Sequence, residues 1–241
     1  MKIKKIIAIA AASSMLCAFA SCSKKVKTDP AVDDKTSKSV PADLAGVDFE
    51  DTVVAGNGDA YLAIADKDFK MQYLGGNDEN NQLTFDAGVV HIDGNGDYKV
   101  SVNADTKGFR FRATGNPDTE YKPKGLGFAA VIIHEGEKEL PNAVITVKKV
   151  KVDGKDVELK KHGYTNTETG SIRSNIFNEW VSDDGLPGDA RSDKGALFNN
   201  FSSDSPTDIN DGSYSAQLVD TGAFDEWTKV EVEFTVSGLD K

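Results

Sequence analysis

The sequence predicts an all-β protein: a jelly-roll-like antiparallel β-sandwich of about ten strands, preceded by residues that do not join it. Three observations point there. Short segments alternate strictly between apolar and polar residues, the period of a half-buried strand. Glycine, asparagine and aspartate cluster between those segments, where turns need φ values that other residues resist. No stretch shows the 3.6-residue apolar period of an amphipathic helix for more than two turns.

The amino-terminal residues read differently. Lys2, Lys4 and Lys5 form a positive start, and residues 6–20 carry no charge. That run is too short to cross a hydrocarbon core of about 30 Å, and it ends in small residues, so it reads as the apolar part of a secretory signal. Phe19-Ala20-Ser21-Cys22 resembles a bacterial lipobox, with phenylalanine where leucine is usual. The expectation is cleavage before Cys22 and lipidation of its thiol; ordinary secretion with cleavage after Ala20 is the alternative. Cys17 leaves with the signal, so the mature chain has one cysteine, no disulfide and no cysteine-based metal site. Two or three acyl chains supply the multiple signals that stable anchoring requires.

Loss of residues 1–21 removes three lysines and no acid, which moves the formal net charge from −11 to −14. So acidic a chain is not drawn by charge to nucleic acid or to anionic lipid. Residues 22–46 are small, charged or proline and almost free of large apolar side chains; they cannot bury enough surface to offset ordering and read as a flexible tether. The sandwich domain is expected over residues 47–241.

Within it Tyr98, Val100 and Val102 alternate with polar residues, and Phe109-Arg110-Phe111-Arg112 does the same. Residues 128–133 form a continuous apolar run suited to a buried strand. Residues 144–152 lead into Asp153-Gly154 and then 155–159, a hairpin signal. Val230, Val232, Phe234 and Val236 share one face of the last strand, opposite Lys229, Glu231, Glu233 and Thr235. Residues 183–212 are a long polar stretch, a length that usually carries function or stays unfolded.

Catalytic patterns fail one by one. Asp93-Gly94-Asn95-Gly96-Asp97 opens like a calcium loop, but the twelfth position is Ala104 instead of a bidentate glutamate. Asp183, Asp184, Asp189 and Asp193 offer oxygen for a structural calcium, although solvation of a loop accounts for them as well. His91, His134 and His162 have no ligand spacing. No carboxylate pair carries a glycosidase pattern, and Thr169-Gly170-Ser171-Ile172-Arg173 lacks the second glycine of a nucleophile elbow. No enzyme activity and no cofactor are expected.

Aromatic and amide groups are the remaining equipment. Sugar rings present C–H faces that stack on aromatic rings, while amides and guanidinium groups bond the hydroxyls. Residues 164–180 supply Tyr164, Asn166, Arg173, Asn175, Asn178 and Trp180. Strand parity puts Trp180 with Ile172 and Ile176 on a core face; its place at a strand end puts it at a rim. Trp227 has outward parity relative to Val230 and Phe234, which suits either an exposed ring or a cover over the strand's start. Tyr73 and Tyr121 are weaker candidates.

The succession 97–102, 150–155, 172–180 and 232–238 is similar to carbohydrate-binding-module-like β-sandwich domains of surface proteins and lipoproteins in gut and rumen Clostridia. The resemblance covers most of residues 48–241 and rests on strand and turn signals; no binding residue is carried over from it. It implies a polysaccharide or oligosaccharide partner. The resulting expectation is a monomeric, non-catalytic lipoprotein of the cell envelope, facing outside the cytoplasm, that captures glycan through Tyr164, Arg173, Asn178, Trp180 and Trp227. The other reading is a structural or adhesive domain that contacts protein and uses the same aromatics as core.

Overall fold

The structure, a computed structural model, describes residues 53–76, 87–104, 121–181, 186–197 and 212–239. The signal, the tether with Cys22, the segment Phe109–Arg112, Asp183, Asp184 and most of the polar stretch lie outside these residues. Among the described residues there are twelve strands and two four-residue helical turns, α1 (Gly136–Glu139) and a 3-10 turn (Thr221–Phe224), so the protein is all-β. None of the described helices is long and apolar enough to cross a membrane.

The strands form two antiparallel sheets, neither closed into a barrel. The larger contains β1 (Asp59–Ala65), β2 (Gln72–Tyr73), β3 (Val90–His91), β5 (Phe128–Ile133), β8 (Thr165–Glu168), β9 (Ser171–Asn178), β10 (Arg191–Ser192) and β11 (Gly195–Ala196). The smaller runs in the order β4 (Gly96–Asn103), β12 (Lys229–Ser237), β6 (Val144–Val152), β7 (Lys155–Val157).

The smaller sheet follows its sequence pattern closely. Val230, Val232, Phe234 and Val236 are buried against the other sheet, and Phe234 stacks on its cross-strand neighbour Tyr98 with ring centroids 5.9 Å apart. The opposite face carries ion pairs: Glu231 meets both Lys99 and Lys229, and Lys151 lies 3.9 Å from Glu233. The β6–β7 hairpin turns on Asp153 and Gly154 at φ +50° and +79°, two positive values in succession, as a type I′ turn requires. Thr169 and Gly170, at +53° and +80°, join β8 to β9 by the same device.

In the larger sheet one face meets the smaller sheet. Register and alternation place Ala60, Leu62, Ile64, Ala129, Val131, Ile133 and Ile172 there, and all are buried in one core with the inward residues of β4, β6 and β12. The other face carries Tyr61, Ala63, Ala65, Ala130, Ile132, Asn166, Arg173 and Asn175. β1 is therefore covered on both faces, which explains its near-continuous apolar sequence.

Candidate functional site

A single irregularity decides where the aromatic candidates go. Along β9, Ala130 pairs with Asn175 but Ala129 pairs with Phe177, so Ile176 is an extra residue. Such a bulge reverses the alternation beyond it. Phe177 turns toward the inter-sheet core, and Asn178, opposite Phe128, turns to the outer face. The simple parity that groups Asn178 and Trp180 with Ile172 is broken at this point, and Trp180 is 56% exposed.

Trp180 is held as well as exposed. Its backbone N–H donates to Asn178 Oδ1 at 3.1 Å, a local side-chain turn that fixes the chain as it leaves the strand. Gln217 Nε2 donates to the carbonyls of Asn178 and Val181, 3.3 Å each, and binds the two sides of Trp180 together. Asn178 thus acts through its neighbour: its side chain is buried and occupied.

The ring beside Trp180 is one the sequence did not single out. Phe69, in the turn between β1 and β2, lies with its centroid 5.2 Å from that of Trp180 at an interplanar angle of 35°. It is 43% exposed and has φ +52°. A bulky residue in the left-handed region is a true outlier, costing on the order of 1–3 kcal/mol.

The turn around it is built on Asp66, which is fully buried. Asp66 Oδ1 accepts from the N–H groups of Lys70 (3.0 Å) and Met71 (3.2 Å). Its Oδ2 accepts from the Tyr121 hydroxyl, and its backbone closes the loop through Phe69 N–H to Asp66 O (3.1 Å) and Asp66 N–H to Met71 O (3.0 Å). Burial, reinforced by the hydrogen bond to Asp66 and by the charges of Asp66 and Asp68, raises the Tyr121 pKa above its ordinary value, so the phenol stays a donor. Lys70 Nζ sits 5.8 Å above the Tyr121 ring. Tyr121 is therefore a supporting residue, and Tyr73 is core.

The amide candidates occupy the outer face of the same sheet. Asn166 and Arg173 are cross-strand partners, and Asn175 is two residues along from Arg173. Arg173 forms an ion pair with Glu168. Both ends of the Asn175 amide, Asn166 Oδ1 and Arg173 Nε are buried without hydrogen-bond partners. Unfilled capacity of this kind costs about 1–3 kcal/mol per group unless water or a ligand supplies it.

Two candidates fall elsewhere. Trp227 is fully buried in the main core and is the largest such side chain among the described residues. Outward parity fails for it because it precedes β12, beyond Glu226 at φ +57°, where strand alternation does not extend. Tyr164 is 2% exposed and packs with Ala190, Leu197 and Ala216 in a second small core. Neither ring reaches solvent to meet a ligand, so the expected grouping of Tyr164, Trp180 and Trp227 does not form.

Other chemistry is sparse. Asp189 accepts the Thr167 N–H at 2.6 Å, and among the described residues no three His, Cys, Asp or Glu side chains are placed to share a metal ion. His91 Nδ1 lies 2.8 Å from Asp59 Oδ1 on the surface. An open groove of about 530 Å³ beside β7 is lined by Val152, Lys155, Asp156, Glu158, Lys160 and Asp220, with Lys160 already paired to Asp220. Its charges alternate and no aromatic ring lines it.

Comparison with protein-family models, with curated proteins and with solved structures finds no match to this chain.

Proposed function

We propose that this chain is a non-catalytic, lipid-anchored envelope protein that binds polysaccharide or oligosaccharide at the Trp180 end of its larger sheet. The exposed indole of Trp180, on a backbone braced by Asn178 and Gln217 and flanked by Phe69, carries the reading. Exposed aromatic faces suit the C–H surfaces of sugar rings. Arg173, partly exposed on the same face of the sheet and paired with Glu168, adds a guanidinium that can bond a hydroxyl, whereas Asn166 and Asn175 are buried. The signal-like start, Cys22 and the tether support placement at a membrane facing outward.

Affinity electrophoresis of the tag-free mature chain against starch, xylan, β-glucan and mannan tests the proposal. Retardation by at least one, lost in Trp180→Ala, is expected. Free migration in all four, with no heat of binding in calorimetry, removes the saccharide reading.

A structural or adhesive protein-binding surface is the second reading. Val54 and Leu74 are exposed aliphatic residues, which do not stack on sugars but do suit a protein interface.

A further inference from the structure

We propose that Phe69 is itself a ligand-binding residue, the second ring of a two-ring platform with Trp180, and that Asp66 is the residue that positions it. The proposal rests on the saccharide-binding reading of the same site.

Phe69 is placed against its own preferences. At φ +52° a glycine or asparagine would sit with less strain, and at 43% exposure the phenyl ring recovers only part of its hydrophobic gain. A residue kept only for packing would not combine exposure with strain. The surrounding turn imposes the conformation: Asp66 gathers the Lys70 and Met71 amides and the Tyr121 hydroxyl from a place closed to solvent. On the other arm Trp180 is held by Asn178 and Gln217, none of which belongs to the Phe69 turn. Two separately braced arms thus bring two large rings together on the surface.

The ring geometry also fixes how a ligand lies. Carbon atoms in contact sit about 3.5–4.0 Å apart, so a sugar held between two rings needs roughly twice that separation. Centroids 5.2 Å apart leave no such gap. The saccharide therefore lies across both rings, and removing either one shortens the platform.

The test uses the mature chain and the glycan that retards it most in electrophoresis, with affinity from calorimetry and stability from the urea midpoint. Phe69→Gly relieves the strain and removes the ring. Its midpoint is expected to stay or rise while affinity falls at least tenfold, a split that a packing role cannot produce; Phe69→Trp should keep most of the affinity. Asp66→Asn should weaken binding in the wild-type background and leave it unchanged in Phe69→Gly, because it acts only through Phe69. Tyr121→Phe provides the same cycle if Asp66→Asn fails to fold.

Wild-type affinity in Phe69→Gly, alongside binding that Trp180→Ala abolishes, overturns this proposal and leaves the saccharide reading standing. So does a midpoint in Phe69→Gly that falls together with affinity. Equal weakening by Asp66→Asn in both backgrounds overturns the positioning role. No binding of any glycan by the wild type overturns the saccharide reading and this proposal with it.

Discussion

Trp227 and Trp180 occupy opposite kinds of place in one molecule. Trp227 lies fully enclosed in the main hydrophobic core, and even its indole N–H has no partner. Trp180 has more than half its surface in solvent, and hydrogen bonds to the backbone around it fix its position. Packing fixes a residue only while the core is intact, so its loss is read in stability. A hydrogen bond to Asn178 and those from Gln217 to the flanking carbonyls fix a residue whose own surface stays free for something else.

Trp227→Ala should have the largest effect, about 3–5 kcal/mol off the unfolding free energy from urea titration. Affinity per folded molecule should be retained; a variant that unfolds normally yet loses ligand would erase the distinction between the two sites. Asn178→Ala is expected to cost about 1 kcal/mol through the lost hydrogen bond to Trp180 N–H. Acrylamide quenching of the exposed tryptophan should become faster at the same time, while the buried one stays protected. Trp180→Ala should cost less than about 1 kcal/mol, as exposed positions usually do. A loss comparable to that of Trp227→Ala would make Trp180 structural.

The smallest effect is expected from pH. Burial tends to raise the Asp153 pKa, but hydrogen bonds from the Thr228 hydroxyl and the Lys229 and Thr228 amides, together with Lys155, lower it below the ordinary 3.8. A depressed folded value means that Asp153 stabilises above the unfolded value and that this contribution disappears as pH falls through the folded one. Asp153→Asn keeps a residue tolerant of φ +50° and should flatten the acid limb of the stability curve. An unchanged acid limb would show that the hydrogen bonds contribute equally in both protonation states.

Sequence pattern revealed the smaller sheet because its three long strands, β4, β6 and β12, bury one face and wet the other. Val230 to Val236 and the Asp153-Gly154 turn carry their structure locally. The larger sheet was less readable: β1 is covered on both faces, so its alternation is erased, and the extra residue in β9 is invisible in composition. Of the site, the amide residues and Trp180 were legible as types, whereas the core positions of Tyr164 and Trp227 depend on segments outside regular strands. Phe69 had one local sign, a lone large aromatic in the charged turn Asp66-Lys67-Asp68-Phe69-Lys70. Its meeting with Trp180 comes from pairing between β1, β5 and β9, which no local pattern encodes.

The additional residue at Ile176 makes the site a matter of counting. Between Arg173 and Trp180 the chain has one residue more than its partner strand can match. Were it taken into the regular ladder instead of bulged, the same side chains in the same order would send Asn178 inward and swing the indole toward the opposite side of the sheet. The direction in which the end of β9 presents its side chains therefore depends on one bulged residue and not on the composition of the strand.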